Sequence, residues 1–213
     1  MYERGGKRLF DLLGAAVLLL ALAPVLGMVA LAVRLRLGRP VLFRQVRAGW
    51  GGQPFTLLKF RSMADGAGSD AERLGRFGRW LRASALDELP QLVNVLRGEM
   101  SLVGPRPLPP DYTPLYSPAQ ARRLAVRPGL CGLAQAAGRN ALPWGPRLAL
   151  DARYAARQSL GGDLVLMLRC ALLVLRGQGA AAPGHVTMPE FRGATAGPPQ
   201  GCHQPVRSWI KSD

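Results

Sequence analysis

Leu12–Val33, LLGAAVLLLALAPVLGMVALAV, is a run of 22 residues without a charge, followed at once by Arg34, Arg36 and Arg39. About 20 apolar residues suffice for a helix to cross a bilayer, so the run specifies a membrane anchor. It is too long for a signal peptide, and arginine rather than a small-residue cleavage site follows it. Pro24 lies near its middle, where it removes one backbone donor and crowds the preceding turn, so a kink or break is expected there. Arg4, Lys7 and Arg8 precede the run. With basic residues on both flanks, the positive-inside bias selects no orientation. A helix–break–helix that enters and leaves on one face satisfies both flanks. A full crossing is the alternative, because transmembrane helices tolerate proline.

The rest of the chain bounds what the anchor carries. With 213 residues, one domain plus an anchor can form, but hardly two full domains. We expect an anchor over 1–38, a catalytic domain over 39–193, and a disordered tail over 194–213, where periodicity gives way to Gly, Pro and small polar residues. The formal net charge is +15, and only Lys7, Lys59 and Lys211 of the 28 cationic residues are lysines. Arginine suits bidentate grips on phosphate, although an arginine-favouring codon composition gives the same excess. The charge implies an anionic partner: nucleic acid, an anionic membrane face or a nucleotide substrate. No recognised nucleic-acid-binding motif accompanies it, so nucleic acid is not the expected partner. Cys131, Cys170 and Cys202 lack metal-ligand spacing, and their odd number argues against a disulfide framework. His185 and His203 are the only histidines, which excludes a histidine-rich metal site.

The expected fold class is α+β and helix-rich. Residues 40–46 and 54–60 read as strands around the Gly49–Gln53 turn, giving a β-hairpin. Leu74–Leu81, with Phe77 and Trp80 among basic residues, reads as an amphipathic helix, either on the membrane interface or on an ordinary surface. Leu89, Leu92, Val93 and Leu96 recur at helical spacing before Gly98, with Pro90 in the first turn. Residues 105–118 hold six prolines and read as extended. Further helices are expected over 118–125, 146–158 and 163–175.

Asp87-Glu88 lies at the N-terminus of the helix that holds Leu89, Leu92, Val93 and Leu96. Acids there offset the helix dipole, and Ser84-x-x-Asp87 has the form of a capping box. The same position would keep Asp87 ionised and draw a phosphate towards it, where a carboxylate can attack phosphorus. Adjacent carboxylates also suit Mg²⁺, which takes one or two protein oxygens together with substrate phosphates. Lys59 and Arg61 close the second strand, Arg106 stands between two prolines, and Arg127 precedes Pro128. Proline restricts the backbone, so each guanidinium is presented with little ordering entropy left to lose. Several such cations suit a diphosphate.

The run from Asp87 through Arg97-Gly98-Glu99 to Gly104-Pro105-Arg106-Pro107 resembles the bacterial sugar transferase family, the monotopic phosphoglycosyl transferases that start lipid-linked glycan assembly. Lys59-Phe60-Arg61-Ser62-Met63, Val126-Arg127-Pro128-Gly129-Leu130, Gly132-Leu133-Ala134-Gln135, Gly138-Arg139-Asn140 and Gly184-His185-Val186-Thr187 are similar as well. The resemblance covers about 1–193. It implies a re-entrant membrane helix broken at Pro24, a catalytic face towards the cytoplasm of the bacterial inner membrane, and Mg²⁺ as cofactor. It implies a UDP-sugar and undecaprenyl phosphate as substrates. Asp87 would be the nucleophile that forms a covalent phospho-sugar enzyme and releases UMP, and Glu88 would position metal or assist proton transfer. Lys59, Arg61, Arg106 and Arg127 would bind phosphates, with Gln135, Arg139 and Asn140 near the nucleotide-sugar. The stretch from Gly138 to Trp144 and the His185 region resemble members acting on acetamido sugars such as di-N-acetylbacillosamine. Ala23 stands where relatives tend to carry serine, and Cys131 where threonine is common. The rival from another class is a non-catalytic basic membrane-surface protein that binds anionic lipid or a partner. The sequence fixes neither the sugar nor an oligomeric state.

Overall fold

The computed structural model describes residues 2–138, 142–176 and 190–193. The expected tail over 194–213 lies outside them. The uncharged run lies within one helix, α1 (Lys7–Leu37), whose 31 residues span about 46 Å at 1.5 Å per residue. This helix continues through Pro24. The expected helix–break–helix is therefore corrected to a single helix. Proline removes only one donor, and both sides of it are packed on the domain: Leu18 and Leu19 in one cluster, Val25 and Leu26 in another.

Two strands follow, β1 (Leu42–Ala48) and β2 (Pro54–Phe60), antiparallel with Leu42 opposite Phe60 and Ala48 opposite Pro54. Gly51 and Gly52, at φ 63° and 78°, make the turn between them. Helix α2 (Asp70–Ala83) opens with a Ser69–Glu72 capping box and is interrupted at Gly75. Phe77 and Trp80 stack with centroids 6.1 Å apart, and Trp80 is exposed while Leu74 and Leu81 are buried. The expected Ser84-x-x-Asp87 capping box is absent. Ser84 Oγ instead donates to the Leu81 carbonyl at 3.0 Å, closing α2.

A 3-10 turn over Leu86–Glu88 leads into α3 (Gln91–Arg97), which Gly98 ends in the left-handed region. Asn94 ties this helix to β2, accepting from the Leu58 amide at 3.1 Å and donating to the Thr56 carbonyl at 2.8 Å. Strand β3 (Ser101–Val103) pairs in parallel with β4 (Gly129–Cys131). Between them come α4 (Pro118–Ala121) and a 3-10 turn over Arg122–Ala125. Helices α5 (Leu133–Gly138), α6 (Trp144–Ala156) and α7 (Leu160–Leu175) complete the order. Of the stretch expected to be extended, Pro110–Leu115 forms 3-10 turns.

The anchor shares its core with the domain. Ala15 clusters with Leu57, Leu92, Val95, Leu102, Tyr154 and Leu166, while Val29 and Val33 pack with Phe60 and Leu81. Both ends of α1 are tied to that same body. Arg8 donates to the carbonyls of Val95 at 2.6 Å and Leu96 at 3.0 Å, and Arg61 donates to those of Leu37 and Arg39. The outer face of α1 is left apolar and exposed at Leu13, Val17, Leu20, Leu31 and Leu35, and α7 adds Leu164, Leu168 and Leu175. An apolar surface of this kind is weak but direct support for membrane association.

Asp11 is the polar pin of the arrangement. Its buried carboxylate accepts from the Leu102 amide and the Ser101 hydroxyl, each at 2.9 Å, with Lys7 Nζ at 3.7 Å. Asp11→Ala leaves the buried Leu102 amide without its acceptor, while Lys7 keeps Asp163, so it should cost roughly 2 kcal/mol of stability, read as a lower Tm of the lipid-embedded protein.

Candidate active site

Asp87 is buried in the turn before α3, facing a cavity of about 830 Å³ that Lys59, Arg82, Glu88, Arg106 and Gln135 also line. Different elements deliver these groups. Lys59 comes from β2, fixed by the Asn94 link, and its ammonium lies 5.1 Å from the centroid of the Phe43 ring. Arg82 comes from the end of α2, where its Nε donates to Ser62 Oγ at 2.9 Å. Arg106 follows β3. Its guanidinium donates to both oxygens of Glu88, at 2.6 and 3.3 Å. The Arg106 carbonyl accepts from Arg123 at 2.5 Å, and Arg123 is paired with buried Asp151 at 2.8 Å. A close backbone crossing seats this loop: a side chain at Gly104 or Gly129 would collide with the other's strand.

Burial, then the adjacent Glu88 charge, push the Asp87 carboxyl up to about 7 against the pull of Lys59, Arg82 and Arg106. This corrects the expectation that a helix N-terminus keeps Asp87 ionised. Helix α3 starts only at Gln91, beyond Pro90, and its dipole is outweighed by desolvation and a like charge. The Lys59 ammonium is pushed down by burial, offset in part by Asp87. Arg106 is held up first by Glu88.

The cavity has two kinds of wall. Arg47, Lys59, Arg82, Arg106 and Arg147 make one side cationic, whereas Leu18 and Leu22 of α1 and Met167, Val174 and Leu175 of α7 make another apolar. Asp87 lines the cavity together with both groups. No group of three or more His, Cys, Asp or Glu side chains suited to a metal occurs among the described residues. A divalent ion here would draw on Asp87 and Glu88 and take its other ligands from substrate, a donor set that suits Mg²⁺.

Of the residues expected at the site, Asp87, Glu88, Lys59, Arg106 and Gln135 come together. Two do not. Arg61 is buried away from the cavity, donating to Asp65 at 2.5 Å and to the end of α1. Arg127 donates its Nε to the Gly98 carbonyl at 2.9 Å and stacks over Trp50. Both guanidiniums brace the fold, each held by backbone carbonyls of other segments. Arg139 and Asn140 lie outside the described residues. Arg47, Arg82 and Arg147 were missed. The alternation of Phe43, Gln45 and Arg47 along β1 could have revealed the first of them.

A profile of the family described as bacterial sugar transferase matches residues 2–177. An uncharacterised sugar transferase of Bacillus subtilis, EpsL, is 46% identical over 194 residues, covering 88% of this chain and 96% of the relative. The UDP-glucose:undecaprenyl-phosphate glucose-1-phosphate transferase of Caulobacter vibrioides is 45% identical, covering 76% of this chain and 67% of its own. The undecaprenyl-phosphate galactose phosphotransferase of Salmonella typhimurium is 34% identical over 82% of this chain and 41% of its own. The chain belongs to the bacterial sugar transferase family.

A carboxyl at about 7 gives a definite pH dependence to any reaction that needs its ionised form. The ionised fraction rises with pH, so kcat/KM for the sugar donor should climb about tenfold between pH 6 and 8 and then level. An initial-rate profile that is flat across that range would remove Asp87 as the titrating group.

Proposed function

We propose that this protein transfers a sugar-1-phosphate from a UDP-sugar to undecaprenyl phosphate and releases UMP, as the first membrane step of a glycoconjugate pathway. The observation that carries this reading is the buried Asp87 carboxylate set between a cationic wall and an apolar one. Two substrates of opposite character can each reach it. The names of the Caulobacter and Salmonella relatives support the lipid phosphate as acceptor.

In the proposed mechanism, an ionised Asp87 oxygen attacks the sugar-side phosphorus. The bond to the bridging oxygen breaks and its electron pair leaves with UMP, giving an aspartyl phospho-sugar. Lys59, Arg82 and Arg106 stabilise charge on the transferring phosphoryl group. Undecaprenyl phosphate then attacks the same phosphorus and Asp87 is released. Glu88, held by both nitrogens of Arg106, keeps that guanidinium aimed at the phosphates. Mg²⁺ held by Asp87, Glu88 and the donor phosphates would offset the phosphate charge. For the sugar, relatives named for glucose and galactose make UDP-glucose the first donor to test, ahead of the acetamido donors that the 138–144 stretch suggested.

We place the domain on the cytoplasmic face with α1 lying in the membrane interface. Its two ends are held by one body, and a body on one side of a bilayer keeps both ends there. Cysteines placed singly at Tyr2 and Arg39 should both be labelled from the cytoplasmic side by an impermeant thiol reagent. Labelling of the first only from outside would establish a full crossing.

The covalent step is tested by incubating the enzyme with UDP-sugar alone. UMP should appear in an amount stoichiometric with enzyme, and mass spectrometry should find a phospho-sugar on the Asp87 peptide. Asp87→Asn should abolish both while keeping or raising Tm at pH 8, since a buried charge is removed. UMP that forms only when both substrates are present would favour direct transfer. No UMP from any UDP-sugar, with tight binding to anionic vesicles, would favour the non-catalytic membrane-surface reading.

A further inference from the structure

The cavity holds more cations than attack at Asp87 requires. Five cationic side chains line it, against Asp87 and Glu88 as the lining carboxylates among the described residues. The hairpin orders them in space. Phe43, Gln45 and Arg47 alternate along β1 on the face turned to the cavity, and Lys59 stands opposite Phe43 in the register. Arg47 is four residues farther along the hairpin, about 13 Å at strand rise. Lys59 therefore marks one end of the cationic wall and Arg47 the other.

Electrostatic coupling follows the same order. Lys59, Arg82 and Arg106 are the cations that act on Asp87. Arg47 and Arg147, each pushed down to about 10 by burial and then by Arg106, couple to Arg106 rather than to Asp87, with Glu88 in part offsetting the push on Arg47 and Asp151 that on Arg147. Arg106 is the common middle of the row.

Arg47 also differs from the arginines that brace the fold. Arg123 is paired with Asp151, Arg61 with Asp65 and two carbonyls, and Arg127 with the Gly98 carbonyl. The Arg47 Nη2 donates to Gln45 Oε1 at 2.6 Å, and its buried Nε has no hydrogen-bond partner among the described residues. Arg147, buried on α6, has its guanidinium 5.3 Å from the Trp144 ring centroid. Arg47, half-buried beside another cation and with a neutral amide as its hydrogen-bond partner among the described residues, is suited to an anion that arrives with the substrate.

We propose that Arg47 and Arg147 form the leaving-group end of the phosphate site, holding the nucleotide-side phosphate of the donor while the sugar-side phosphate lies against Asp87. The assignment rests on the UDP-sugar reading above. It follows from the direction of the chemistry. When the attacking oxygen bonds to the sugar-side phosphorus, the bond from that phosphorus to the bridging oxygen breaks. The bridging oxygen keeps the electron pair, so the nucleotide phosphate goes from one formal negative charge to two. That charge collects away from Asp87, at the end where Arg47 and Arg147 stand, and it does so whether Asp87 or the lipid phosphate attacks first.

The test uses the full chain in lipid nanodiscs, with UMP and uridine as probes, so that phosphate recognition is read as the ratio of the two affinities. Arg47→Gln and Arg147→Gln should each lower the UMP-to-uridine affinity ratio about tenfold, the loss of one charge-assisted phosphate contact, and slow UMP release from UDP-sugar. Arg47→Lys should recover part of the ratio, because charge returns without the fork. Lys59→Gln should abolish turnover yet keep the ratio within about twofold, because its end of the row faces the other phosphate. If the two arginine variants lose UMP and uridine affinity equally, or lose neither, the assignment is overturned while turnover by the wild type leaves the donor reading standing. A wild-type protein that neither binds UMP nor releases it from any UDP-sugar overturns both.

Discussion

Asp11 sits where α1 crosses β3, and its carboxylate accepts from the Leu102 amide and the Ser101 hydroxyl. An apolar helix has few polar groups with which to fix its register on a neighbour. One buried acid with two donors supplies that register. A second polar link runs in parallel. Lys7 donates to buried Asp163 at 2.7 Å, and the Tyr154 hydroxyl lies 2.8 Å from the same residue and 2.9 Å from the Val103 carbonyl. Both routes end on β3. Gly104, Pro105 and Arg106 follow directly, so the helix that meets the membrane also places the arginine that grips Glu88.

The site is built against its own stability. Asp87 is buried beside a like charge, and five cations share a wall that carries two carboxylates. Burial pushes Asp87 up and Arg47, Lys59, Arg82 and Arg147 down, whereas Glu88 more than offsets the burial of Arg106. Elsewhere the protein pairs its buried charges: Arg123 with Asp151, Lys7 with Asp163. The contrast separates two uses of arginine in one chain. Carbonyls and carboxylates close around Arg61, Arg123 and Arg127, which are structural, whereas Arg47, Arg82, Arg106 and Arg147 line the cavity.

Much of the fold was legible. Strand alternation located the hairpin almost to the residue, and Gly98 ends α3 because a left-handed closing residue favours glycine. Apolar periodicity placed α3, α6 and α7. Asp87, Glu88, Lys59 and Arg106 were legible too, since their residue types and local spacing already express carboxylate and phosphate chemistry. Ser84 misled because its hydroxyl can close the helix behind it as readily as cap the one ahead. Pro24 misled because a break depends on whether packing on both sides holds the helix together, which no local pattern records.

The sequence by itself determined that an uncharged apolar helix precedes a basic domain with a carboxylate pair and rigid phosphate-sized turns, because those properties lie in residue types and short spacings. Only the tertiary structure decided which cations reach the carboxylates. Arg61 and Arg127 have the same local credentials as Arg106, yet carbonyls of α1 and of Gly98 capture them. Arg47, Arg82 and Arg147 have no motif of their own and arrive by the packing of β1, α2 and α6 around one cavity. The physical reason is that a guanidinium goes to the acceptors its surroundings present, and those surroundings come from elements far apart in the chain.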